Sequence, residues 1–214
     1  MIQVRTSFVP RRQGFRFVNS FDLLPRRSLP KVFGLDLDRI TIIGLCGGMS
    51  FAAIDYYLAG ESLPAVEEAS QIPPGLMSYL RARQGDSTPP GTLLKLFKRV
   101  FQSDPEVAQM TALEIPRLRA LLDQGQPTVL LLVCTRGVEN PTGNHQVVAT
   151  GYDFDPASQE FVVYLYDPNH PGEEPCLTMN LSDPGQGIHL EQTTGEARRG
   201  FLVQEYLARR PIIP

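Results

Sequence analysis

The residue best placed for nucleophilic chemistry in this chain is a cysteine at the start of a buried helix. Cys46-Gly47-Gly48-Met49-Ser50-Phe51-Ala52-Ala53-Ile54-Asp55-Tyr56-Tyr57-Leu58-Ala59 is apolar nearly all round and stops at Gly60, a natural helix-ending residue. There the unpaired N–H groups and the positive end of the helix dipole stabilise the thiolate, which is the nucleophilic form. Gly44, Gly47 and Gly48 carry no side chains, so a substrate could approach the backbone and an oxyanion could meet the Cys46 N–H. On the helix start alone, Cys46 reads equally well as a small core residue.

His145 and Asp167 shift that balance. His145 opens one expected strand and Asp167 closes the next, with Asp153-Phe154-Asp155-Pro156-Ala157-Ser158 between them as turn material. A hairpin closing symmetrically about Pro156 would set the two directly opposite, with Cβ atoms roughly 4.5 to 5.5 Å apart. The strand period places Val147 and Ala149 with His145, and Leu165 and Val163 with Asp167, an apolar face expected to pack on the Cys46 helix. A carboxylate on one imidazole nitrogen fixes the tautomer and leaves the other nitrogen to take the thiol proton, so Cys46, His145 and Asp167 form a candidate triad.

Other reactive residue types read as structural. His170 and His189 have no strand-and-carboxylate context, Cys134 ends the apolar run Val129-Leu130-Leu131-Leu132-Val133, and Cys176 follows Pro175 in a plausible edge strand. Asn144 and Asn169 flank the triad residues and are kept as site-lining candidates, with turn capping as the competing role. A mononuclear metal site is the weaker reading, since no two Cys or two His lie a few residues apart. The thiol chemistry calls for no cofactor.

The elements that must position these residues give an α+β fold in a single 214-residue domain. Residues 1–40, broken by Pro10, Pro25 and Pro30, form an irregular arm whose stretch Gly14 to Phe21 is either a strand or a wrapped segment. Residues 45–125 are mainly helical, with further helices expected at Pro64 to Ala69, Gly75 to Gln84, Leu93 to Phe101 and Ile115 to Gln124, where Pro116 suits a first turn. Residues 126–214 are mainly antiparallel β, with strands expected at Thr128 to Thr135, His145 to Tyr152, Glu160 to Asp167, Cys176 to Asn180, Gly187 to Gln192 and Gly200 to Tyr206.

Composition narrows the class. With 23 acidic and 20 basic side chains and the Arg pairs scattered, nucleic acid is not an expected partner. The longest apolar run, Pro127 to Cys134, is too short for a bilayer, and the first residues lack a signal-like apolar stretch, so a cytoplasmic protein without membrane contact is expected. Three cysteines, an odd number with no close pair, describe no disulfide framework and fit a reducing compartment.

Gly44-Leu45-Cys46-Gly47-Gly48-Met49, Asn144-His145-Gln146-Val147 and Tyr166-Asp167-Pro168-Asn169 resemble the papain-like cysteine peptidases in order and context. The chain is most similar to a little-described bacterial group with Gly-Leu-Cys-Gly-Gly-Met, Asn-His-Gln-Val and Tyr-Asp-Pro-Asn-His-Pro motifs and a late Thr-Gly-Glu, here Thr194-Gly195-Glu196. That likeness runs through most of the chain from about Gly14. It implies a papain-like fold and the triad positions, but no particular substrate.

Papain-like enzymes usually carry a Gln shortly before the nucleophile as an oxyanion donor, and Arg39-Ile40-Thr41-Ile42-Ile43 offers none. Asn19, in Phe17-Val18-Asn19-Ser20-Phe21, is the candidate replacement, against a capping role. The expected activity is hydrolysis of a peptide or amide through a thioester acyl-enzyme. Acyl transfer of the transglutaminase kind would use the same three residues, and a non-catalytic scaffold is the reading that the missing Gln favours.

Overall fold

Strand β3 (His145–Asp155) organises the sheet because it is long enough to take two partners along one edge. β2 (Thr128–Val133) pairs with its first half and β1 (Ile2–Arg5) with its second, while β4 (Glu160–Tyr166) covers the other edge. The computed structural model describes residues 1–21, 44–137, 143–183 and 190–211. It is an α+β fold whose eight-stranded, curled antiparallel sheet runs β7-β6-β5-β4-β3-β2-β8, with β1 beside β3. The remaining strands are β5 (Cys176–Asn180), β6 (Leu190–Gln192), β7 (Ala197–Arg198) and β8 (Gly200–Val203).

All six residues of β2 are buried, so both of its faces need cover, and helices supply it. Leu130 and Leu132 join a core with Ala108, Ile115, Leu118 and Leu122 of α5 (Asp104–Asp123). Val129, just before them, faces the opposite core with Met49, Ala52, Ala53 and Tyr56 of α2 (Cys46–Ala59). The face expected to meet the Cys46 helix is thereby reassigned. Val147, Ala149, Val163 and Leu165 pack with α5, and α2 takes the other side through Val129, Val148 and Tyr166.

Helix α2 is buried from Cys46 to Tyr56 and ends at Gly60, whose φ of 69° is the left-handed conformation expected there. Helix α3 (Pro74–Ser87) lies against its glycine side. A Cβ on Gly48 would stand 2.1 Å from the Leu80 carbonyl oxygen, and one on Gly47 would stand 2.2 Å from Ser87 Oγ and 2.6 Å from Gln146 Nε2. The bare backbone of this turn therefore serves helix–helix contact, where the sequence suggested access for a substrate. Further along α2, the buried Asp55 carboxylate accepts from Tyr79 OH at 2.7 Å, Tyr206 OH at 2.6 Å and Arg209 N–H at 2.8 Å, and pairs with Arg83 at 2.7 Å. One carboxylate thus ties α2 to α3 and to the C-terminal segment.

Several boundaries differ from expectation for local reasons. α5 begins eleven residues earlier than expected and carries Pro116 in its interior, because Ser103 and Glu106 form a capping box with Pro105 in the first turn. α3 and α4 (Pro90–Phe101) likewise start at prolines that suit a first turn. The helix expected at Pro64 to Ala69 is absent; a single 3-10 turn at Ala69–Gln71 stands nearby, as a run of six residues holds too few internal hydrogen bonds to persist. The arm contains β1 and a short helix α1 (Pro10–Gln13), and the stretch from Gly14 is wrapped, with Phe15 and Phe17 buried. The strand expected at Gly187 to Gln192 is seen as Leu190–Gln192, and 187–189 lie outside the described residues. Among the described residues no helix is long and apolar enough to cross a membrane.

Substituting Gly48→Ala is expected to cost about 1–3 kcal/mol in urea unfolding, because the obstacle is backbone that cannot yield. Gly75→Ala, at an α3 position where an added Cβ meets nothing within 4 Å, is expected to leave stability unchanged or raise it by up to about 1 kcal/mol.

Candidate active site

Cys46 begins α2 with no acidic residue in the first turn and no side-chain cap, so nothing on the helix itself opposes a negative charge at its N-terminus. Gly48 N–H donates to the buried Gln84 Oε1 at 2.8 Å, and Met49 N–H to the Leu45 carbonyl at 2.7 Å. These contacts fix the first turn against α3. The thiol is a free cysteine, 5% exposed, and hydrogen-bonds with the His145 ring.

His145 Nε2 lies 2.6 Å from Asp167 Oδ1, which leaves Nδ1 for Cys46. The structure thus brings the three predicted residues into one line, by a route that differs from the symmetric hairpin. The β3–β4 turn is centred between Ala157 and Ser158, with Gln159 at a φ of 59°, and a bulge at Thr150 shifts the register by one residue. The last ladder pair is Val148 with Tyr166, which sets Asp167 level with Val147. His145 therefore reaches the carboxylate diagonally along the same face, a distance that a histidine ring spans.

Asp167 is completely buried and its oxygens are occupied: Oδ1 also accepts from Asn169 N–H at 2.8 Å, and Oδ2 accepts from Gln192 Nε2 at 2.7 Å. Burial would push this carboxyl up, but the hydrogen bond and charge of His145 and the two amide donors hold it below the ordinary carboxylate value. For His145, burial favours the neutral ring. The Asp167 hydrogen bond, the Cys46 hydrogen bond and the two negative partners outweigh it and raise the pKa to about 9. Below that pH the ring is held as an imidazolium, with Asp167 on one side and Cys46 on the other.

Asn19 donates from Nδ2 to Asn169 Oδ1 at 3.1 Å, and its backbone N–H is held by the Pro168 carbonyl at 2.9 Å. Its amide lies against Gly44, two residues before Cys46, where an added Cβ would stand 2.8 Å from Nδ2. The arm thus meets the loop after Asp167 and the approach to the nucleophile. Asn144 is spent on the end of β2, accepting from Cys134 N–H at 2.9 Å and donating to Thr135 Oγ1 at 3.1 Å. His170 pairs with Glu196 at 3.0 Å. His189 and Arg39-Ile40-Thr41-Ile42-Ile43 lie outside the described residues.

Gln192 is the site residue that sequence reasoning passed over. It ends β6 on the same face as the buried Leu190, and a glutamine on the apolar side of a strand signals a buried hydrogen-bond partner. Among the described residues no three His, Cys, Asp or Glu side chains group as metal ligands. In comparisons with family models, curated proteins and solved structures, the chain matches none.

Asp167→Asn is expected to lower the His145 pKa by at least about one unit from its raised value, since the substitution removes an adjacent opposite charge. Protonated ring is fully present below the ordinary histidine pKa and is lost as pH rises through the folded value, so the loss moves toward neutral pH in the variant. Titration of the His145 ring protons by NMR checks this; an unmoved curve would show that the carboxylate does not hold the imidazolium.

Proposed function

We propose that this chain is a papain-like cysteine hydrolase acting on peptide or amide bonds through a thioester acyl-enzyme. The observation that carries the reading is the buried line Asp167–His145–Cys46, with the thiol at the start of a helix. A helix bearing the nucleophile against an antiparallel sheet bearing base and carboxylate is the papain-like layout that the sequence resemblance implies.

The attacking form is the Cys46 thiolate, which a helix start favours, with His145 as the imidazolium beside it. Thiolate sulfur attacks the scissile carbonyl carbon, and the charge on oxygen falls near the N–H groups that begin α2, which have no partner inside the helix. As the tetrahedral species collapses, His145 Nδ1 gives its proton to the departing amine and a thioester to Cys46 remains. His145, now neutral, takes a proton from water, whose oxygen attacks the thioester carbonyl; the C–S bond breaks, the carboxylic acid leaves, and the thiolate–imidazolium pair is restored. Asn19, whose amide already lies against Gly44, becomes a second oxyanion donor if Nδ2 turns from Asn169 toward Cys46, a movement within one side chain. An amine in place of water would give acyl transfer with the same residues.

A scaffold with no turnover explains the site less well. Enclosing a carboxylate and an imidazole with complementary partners costs desolvation that a binding surface elsewhere does not repay.

Peptide mapping after brief iodoacetamide treatment near pH 6 is expected to find Cys46 labelled at least about tenfold faster than Cys134 and Cys176, whose thiols burial pushes up. The difference should vanish in His145→Ala. Equal, slow labelling of all three cysteines, unchanged by that substitution, would sink the hydrolase reading. A positive result leads to a screen of fluorogenic peptides and amides.

A further inference from the structure

Polar contacts continue behind the triad to a buried cation. Gln192 donates Nε2 to Asp167 Oδ2 at 2.7 Å and accepts at Oε1 from Arg198 Nε at 3.0 Å. A carboxylate only accepts and a guanidinium only donates, so the Gln192 amide has one orientation that satisfies both. Arg198 sits on the short strand β7, with its side chain 7% exposed. Its Nη1 donates to Cys134 Sγ at 3.1 Å, and its Nη2 stands 3.8 Å from Glu196 Oε1.

The acidic group nearest this guanidinium is Glu196, at salt-bridge distance but shared with other donors. Glu196 is 36% exposed, lies beyond hydrogen-bond distance, and already accepts from His170 Nε2 at 3.0 Å and from Thr194 Oγ1. Arg199, the next residue, is spent on Asp104 at 2.7 Å. The hydrogen-bonded contacts of Arg198 are thus Gln192 and the Cys134 thiol, both neutral, with the half-exposed Glu196 as a more distant, shared counterion. A buried cation whose counterion is distant and shared is costly unless its charge is also used nearby. In the triad, thiolate, imidazolium and carboxylate leave one negative charge over, and Arg198 lies one amide away from it.

We propose that Arg198 is a positioning residue of this site, which locks Asp167 against His145 through Gln192 and whose charge balances the anion left by the thiolate–imidazolium pair. The proposal rests on the cysteine-hydrolase reading and adds a member on which the sequence motifs are silent. Two effects follow, and they are separable. The bond through Gln192 sets geometry, and so the height of the reactivity profile. The charge sets the pH at which the ion pair forms and is lost, and so the position of both limbs.

The test is the pH profile of Cys46 alkylation by iodoacetamide in the full chain, for the parent, Arg198→Met, Arg198→Lys, Gln192→Leu and, as reference, His145→Ala. Arg198→Met is expected to move both limbs up by about one pH unit, slowing labelling near pH 6 about tenfold. Arg198→Lys keeps the cation but not the fork, and Gln192→Leu keeps the cation but not the link, so each should fall in rate with limbs unmoved. Limbs left in place by Arg198→Met overturn the proposal. Should that variant fail to fold by circular dichroism, parental rates in folded Arg198→Lys and Gln192→Leu overturn it, as does collapse of all three, which would make the contact purely architectural. Parent labelling indifferent to His145→Ala refutes the hydrolase reading itself, a result distinct from all of these.

Discussion

A carboxylate with no exposure to water must be surrounded by donors or give up its charge, and Asp167 is the place where this protein meets that constraint. Its three hydrogen bonds come from three parts of the chain: the His145 ring at the head of β3, the Asn169 N–H two residues on, and the Gln192 amide from the far side of the curled sheet. The curl is what lets β6 reach a residue at the end of β4, two strands away in the ladder. With Asp167 held below its ordinary range, the neighbouring imidazole is held above its own, and the proton inventory of the site follows from that pair.

The nucleophile is positioned by a different set of forces. Helix α2 is apolar on all sides, so packing alone gives it little rotational preference. Polar groups supply what the apolar pattern lacks. Gln84 grips its first turn through Gly48 N–H, and Asp55 binds its middle to Tyr79, Arg83, Tyr206 and the backbone of Arg209. Gly47 and Gly48 allow α3 and Gln146 to come close enough for this. A sulfur at the head of such a helix is held by contacts spread over the whole element, as preorganised reactive groups require.

Much of this was legible because it is local. The apolar run from Cys46 to Gly60 announces α2 and its end, and the alternation from His145 and from Glu160 announces two strands that must pair. What lay beyond the sequence is long-range. Which sheet face α2 covers depends on α5 claiming the other one, and no spacing reports that competition. The bulge at Thr150 is invisible in a stretch of alternating β-formers, so the expected register missed the diagonal approach of His145 to Asp167. Ile2 to Arg5 read as irregular because a four-residue strand with no alternating burial signals itself only through its partner, Gly151–Phe154. The extent of α5 was available in the capping pattern from Ser103 to Glu106 and was obscured by Pro116, which reads as a beginning and serves as an interior residue.

The Thr150 bulge also divides the β3–β4 hairpin into two regions with different tolerance to changes in length. On the tip side, Tyr152, Phe161 and Val163 keep their own phase, and residues added in pairs to the turn between Asp155 and Glu160 leave every pairing above the bulge in place. On the other side, deletion of one residue between Val147 and Gly151 would exchange the faces of His145 and Gln146, presenting an amide where the base now stands. Over evolutionary drift, such a hairpin can lengthen or shorten freely at its end while its root accepts substitutions but no insertions or deletions.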